Sequence, residues 1–167
     1  MKKIILVLVI GLGLILIAGV AFAAEDTKPL TINAQVNARA ELTLEVLAIN
    51  FPDTDPDTLS IPATENAVDV TVKVRTGKSS IATLTHLAAG DLTNAALDTI
   101  PIGNVTWTAT GDAGFQAGTM SSTLARTAGS WTGSGNRSGT FSYFLANSWD
   151  YAMGTYTVSS TYTLTAP

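Results

Sequence analysis

The residues best placed to do chemistry in this chain are three aspartates. Asp53-Thr54-Asp55-Pro56-Asp57 sets carboxylates at alternate positions, the spacing with which a calcium loop begins, because Ca²⁺ gathers about six to eight oxygen ligands. The pattern then departs from that motif. Thr58 stands where the sharp turn needs glycine, and the twelfth position is Thr64, with Glu65 one residue late. A calcium site built on Asp53, Asp55 and Asp57 is one expectation; a solvated acidic turn around Pro56 is the other, and the departures favour it.

Other motifs carry less. Gly77-Lys78-Ser79 has the ending of a phosphate loop, but Val72 occupies the position of its first glycine and a strand follows where a helix is required. His86 has no partner identifiable from spacing, and no Gly-x-Ser-x-Gly elbow supplies a nucleophile. The tryptophans are more informative. Trp131 lies beside a Gly/Ser-rich turn carrying Asn136 and Arg137, and Trp149 lies in Asn147-Ser148-Trp149-Asp150. Indoles on polar loops can stack on sugar rings while neighbouring amide and guanidinium groups bond hydroxyls. Trp131, Asn136, Arg137 and Trp149 are therefore candidate glycan contacts. The competing expectation is that tryptophans fill the ends of the core, as most do. Trp107 alternates with threonines and reads as core.

Composition narrows the classes. The chain has 167 residues, 46% hydrophobic and 13% charged, with one histidine, no cysteine and a net charge of −4. An acidic chain lacks the basic face that phosphate backbones require, so nucleic acid is not an expected partner. Without cysteine there is no disulfide, thiolate nucleophile or Cys-based zinc site. Lys2 and Lys3 precede an uncharged apolar run from Ile4 to Ala21 that ends in Ala21-Phe22-Ala23. This reads as a secretory signal over residues 1–23, cleaved at the small-x-small site; an uncleaved anchor is the alternative. Membrane contact is expected only through this segment. Its removal leaves 144 residues with seven basic and 13 acidic side chains, net −6, enough chain for one core without disulfides.

The elements that must position these residues are strands. Every even position from Leu30 to Val46 is apolar, and most odd ones are polar, the period-two signature of a half-buried strand. Val68, Val70, Val72 and Val74 repeat it. The turn Thr76–Ser80 leads to a strand near Ile81–Leu87, and Val105, Trp107 and Ala109 mark another. A shorter strand is expected over Phe115–Met120. Gly133-Ser134-Gly135-Asn136 signals a turn before Phe141, Tyr143 and Leu145, and a last strand places Tyr156, Val158, Tyr162 and Leu164 on one face. Asn94–Leu97 has room for at most one helical turn. Seven or eight strands without a helix predict an all-β fold, a single immunoglobulin-like antiparallel β-sandwich, with an up-and-down barrel as second choice.

Seventeen alternating residues exceed an ordinary strand, so the run must divide near Asn37–Ala40. This places an N-terminal extension at residues 24–37 and the sandwich at 38–167. The apolar face of Leu30, Ile32, Ala34 and Val36 then needs a home. It pairs within its own domain as an edge strand, joins a neighbouring chain, or remains an unstructured stalk.

The alternating N-terminal segment, the all-β body and the closing Gly154-Thr155-Tyr156-Thr157-Val158-Ser159-Ser160-Thr161-Tyr162-Thr163-Leu164 together resemble secreted pilin-type sandwiches, the spore coat protein U family and chaperone–usher fimbrial subunits. The cysteine pair common in those families is lacking here. The resemblance implies that Leu30, Ile32, Ala34 and Val36 form an assembly strand completing the sheet of a neighbouring subunit. The chain is thus expected to be a non-enzymatic, exported structural or adhesive protein of the periplasm, cell surface or exterior. Its partners would be copies of itself or related subunits, with no cofactor apart from the calcium candidate. The alternative is a carbohydrate-binding module, whose partners would be cell-surface glycans.

Overall fold

The computed structural model describes residues 25–167; the signal segment expected over 1–23 lies outside the described residues. The chain divides after Ala34 into two units. In the described part of the first, residues 25–34, there is no regular secondary structure, and Lys28 pairs with Asp26 at 3.3 Å.

The second unit, Gln35–Pro167, contains eleven strands. They are β1 (Arg39–Leu44), β2 (Ser60–Pro62), β3 (Val68–Arg75), β4 (Ile81–Ala88), β5 (Leu92–Thr93), β6 (Thr99–Ile100), β7 (Val105–Gly111), β8 (Gly118–Thr119), β9 (Arg126–Thr132), β10 (Gly135–Ala146) and β11 (Ser160–Thr165), with one 3-10 turn at Ile102–Asn104. The larger sheet runs β1-β3-β10-β7-β8, with β2 also on β10; the smaller runs β11-β4-β9; β5 and β6 form a separate hairpin. All pairings are antiparallel. This is an all-β antiparallel sandwich. The strand count exceeds the expected seven or eight because β2, β5, β6 and β8 have only two or three residues, too few for alternation to register.

The period-two pattern sets which side chains face inward. Val68, Val70, Val72 and Val74 on β3 are buried against Phe141, Tyr143 and Leu145 on β10 and Trp107 on β7. From the smaller sheet Ala82, Leu84, His86 and Ala88 meet them. The outward positions are largely hydroxyls, such as Thr71, Ser138, Thr140 and Thr110 in neighbouring strands.

The chain crosses between the sheets at Thr76–Ser80 and again at Gly133–Ser134. Gly133 adopts φ +73, which a side chain would disfavour. The two crossings are clipped together: the Ser134 hydroxyl donates to the Thr76 carbonyl at 3.0 Å and accepts from the Thr76 amide at 2.9 Å, while the Gly133 amide donates to Ser80 at 2.9 Å.

Some boundaries differ from expectation. Only Gly118–Thr119 of Phe115–Met120 is a strand, because Gly114–Gln116 turn aside to bond β9 (Ser130 amide to Gly114, Gln116 amide to Ala128). The last strand begins at Ser160, leaving Tyr156 and Val158 in the preceding loop, where Thr157 bridges Thr93.

Rings lie close against glycines. Gly139 on β10 sits under Phe115: a Cβ there would stand 2.6 Å from Phe115 Cδ2 and 2.7 Å from the Thr110 carbonyl oxygen. Because the second contact is backbone, it cannot swing away. Gly139→Ala is expected to lower stability by about 1–3 kcal/mol, the usual cost of overpacking, read as a lower urea midpoint at unchanged m; an unshifted midpoint would show that the sheet yields.

Candidate functional site

Antiparallel pairing gives the sandwich two unlike ends. At one end, where β10 finishes, the loops 45–59, 89–104, 120–125 and 147–159 gather; at the other lie the short crossings at 76–80 and 133–134 and the loop 112–117. The loop end holds Asp53, Asp55, Asp57 and Trp149, whereas Trp131, Asn136 and Arg137 belong to the opposite end. The four glycan candidates do not form one site.

Trp149 is 72% exposed and is held in place. Its indole N–H donates to Asp57 Oδ1 at 3.0 Å, although the two residues are 92 apart in sequence. The loops are tied further by Asn147, whose Nδ2 donates to the carbonyls of Thr54 (3.2 Å) and Asp55 (3.1 Å) and whose amide donates to Leu59. Ser148 shapes the tip, its hydroxyl accepting from the Asp150 amide at 3.1 Å and donating to Asp150 Oδ2 at 3.2 Å. An exposed aromatic ring is thereby presented with its orientation already set.

The same contacts engage the calcium candidates. Asp55 Oδ1 accepts from the Asp57 amide at 3.0 Å and Asp57 Oδ1 accepts from Trp149. Among the described residues no group of three or more acidic or histidine side chains is arranged to hold a metal ion. Asp55 caps the turn at Pro56–Asp57, and Asp57 props Trp149.

Trp131 corrects the expectation made for it. It is 5% exposed on β9, donates its N–H to the Ala113 carbonyl at 2.9 Å, and packs edge-on against Phe115 at 4.9 Å. The Arg137 guanidinium lies over its ring, 5.9 Å from the centroid, so both are engaged with each other. Asn136 is exposed on the outer face of β10. Adjacent Gly133 made Trp131 look like a loop residue, yet it still lies on β9, whose inward register carries it into the core.

Leu30 and Ile32 are 83% and 85% exposed, and Val36 is 68% exposed. Residues 30–36 belong to no strand. The sandwich has edges of differing character. β1 carries Arg39 and Glu41, β9 is covered by Gly114–Gln116, and β8 is two residues long. β11, Ser160-Thr161-Tyr162-Thr163-Leu164-Thr165, pairs with β4 on one side and carries no charge and no proline, the usual guards of an edge. Tyr162, Leu164 and Ala166 are only partly buried, as are Leu42 and Leu44 on β1 and Val46 just after it.

His86, left without a partner by the sequence, is 2% exposed. Its ring stacks on Tyr162 at 3.8 Å, meets Trp107 edge-on at 5.6 Å, and bonds Ser160 Oγ through Nε2 at 2.8 Å. Nδ1 is buried with no partner, so no carboxylate orients the ring as in a hydrolase triad. Burial drives its pKa down to about 4, and burial likewise pushes neighbouring Tyr143 up to about 12 and Tyr162 higher still. The two hydroxyls bond each other between the sheets. All three side chains are uncharged near neutrality.

The histidine leaves a signature in stability. Between its ordinary 6.5 and about 4, the unfolded chain binds a proton at this position that the folded chain refuses, so acidification favours unfolding. Glu65 sits apart from this window: the Asn50 backbone and side-chain amides hold its pKa near 2, so its contribution fades only below its ordinary 4.5. From about pH 7 to about pH 5 the protein should lose about 2 kcal/mol of stability through His86. Urea titrations of wild type and His86→Phe, which keeps a ring against Tyr162, check this; equal pH slopes would refute it.

Comparison with family models, with curated proteins and with solved structures finds no match to this chain.

Proposed function

We propose that this chain is an exported, non-enzymatic structural or adhesive protein of the cell surface or periplasm that assembles by lending Leu30–Val36 to the sheet edge of another copy. The observation that carries this reading is that residues 30–36 belong to no strand, while their apolar side chains alternate with polar ones and stand exposed. Extended as a strand against another sheet, such a segment would cover its apolar face. β11 supplies a matching edge, six residues long and uncharged, where backbone bonds give affinity and alternate side chains give register. Leu30, Ile32 and Val36 would contribute roughly 1.5–3 kcal/mol each as an upper figure, with Ala34 fitting where a small side chain is needed. The pattern-level resemblance to pilin-type sandwiches points the same way.

The test is assembly size in about 500 mM salt, which screens contacts between charged surfaces beyond about 4 Å. Wild-type protein should scatter light as oligomers and Leu30→Asp/Ile32→Asp as monomers. Oligomers of unchanged mass in the variant, or a monomeric wild type, would overturn the reading.

A further inference from the structure

The charges of the sandwich are sorted by end. The loop end carries Asp53, Asp55, Asp57, Asp91, Asp98 and Asp150, all exposed, and Arg126 is the basic residue nearest to it, at the start of β9. The opposite end carries Arg39, Lys73, Arg75, Lys78 and Arg137 against Glu41 and Asp112. These five are all but one of the basic side chains between Gln35 and Pro167. Chain order does not reveal this sorting, because the cations come from β1, β3, β10 and one crossing.

Each end also has its own surface features. The acidic end bears exposed apolar side chains, Leu59, Leu97, Met153 and Trp149 among them, and Trp149 stands fixed by Asp57. The basic end has a shallow depression of about 200 Å³ on the outer face of the larger sheet, lined by Arg39, Glu41, Lys73, Arg75, Gly135 and Asn136. Lys73 is paired with Glu41 at 2.8 Å and Arg75 Nε is bonded to the Asn37 carbonyl at 2.7 Å. Arg39 has no ion-pair partner among the described residues.

The geometry points to a head-to-tail contact between copies, in which Trp149 of one seats in the Arg39/Arg75 depression of the next while Asp55, Asp57 and Asp150 face its cations. Guanidinium over indole is a favourable pair, and Trp and Arg are the residues that most often dominate interfaces. Opposite fields on the two ends steer the approach. Because the two surfaces differ, the contact is heterologous and propagates into a ring or filament. It is independent of the strand donation proposed above.

Two blocked variants test it, both in the Leu30→Asp/Ile32→Asp background so that strand donation plays no part. Trp149→Ala blocks the head and Arg39→Glu/Arg75→Glu the tail; both alter exposed side chains, and circular dichroism confirms folding. Sedimentation velocity is read at about 20 mM and about 500 mM salt, between which the screening length falls from about 20 Å to about 4 Å. The unblocked parent should associate at low salt and dissociate at high salt. Each blocked variant alone should associate about tenfold more weakly or worse. Mixed, they should form a dimer and stop there, because only one intact head and one intact tail remain. A parent that is monomeric at low salt, or variants that associate like the parent, would overturn the contact. So would a mixture that gains nothing, including the case where Trp149 fluorescence responds to a polysaccharide instead.

Discussion

Everything in this molecule depends on one layer of rings between its two sheets. With no cysteine to pin them, the sheets are joined through Trp107, Phe141 and Tyr143 on one side and His86 and Tyr162 on the other. The polar atoms of the layer are mostly matched within it: the tyrosine hydroxyls bond each other, His86 bonds Ser160, and the Trp107 N–H reaches the Gln116 carbonyl at 2.8 Å. Burial of this kind tolerates neutral groups and penalises charged ones. The layer also dictates where backbone comes close. Gly118 faces Trp107, Gly129 faces Trp131 and Gly139 faces Phe115, so the glycines of this chain serve ring packing as much as turns.

The core was legible where strands are long and one-faced. Val68–Val74 announces both its strand and its buried face, and Trp107 among threonines is core by the same logic. Gly133-Ser134 was legible as a turn, but not as a passage from one sheet to the other, because alternation identifies faces and not neighbours. The two-residue strands β5, β6 and β8 have no period to detect. Trp131 was misplaced because a local Gly/Ser context outweighed its own alternation, and nothing nearby in sequence reveals the Ala113 carbonyl that receives its N–H.

The loop-end site was half legible. Polar company around Trp149 correctly suggested exposure, and alternating aspartates suggested a shaped acidic loop. What joins them is a hydrogen bond spanning 92 residues, brought about by β2 returning alongside the end of β10. Within the acidic turn, Asp57 supports an indole. Partition of charge between the two ends is likewise a product of antiparallel topology, which folds distant positions into one neighbourhood.

The first and last strands, both at sheet edges, carry a mechanical consequence. β1 starts at Arg39, opposite Arg75, and β11 finishes at Thr165, opposite Thr83, so both free tips leave the same end of the sandwich. Tension applied through those tips peels each ladder one rung at a time instead of shearing all rungs together. A fibre strung solely from such tips would be a weak rope; one whose rigid bodies bear upon each other would share the load.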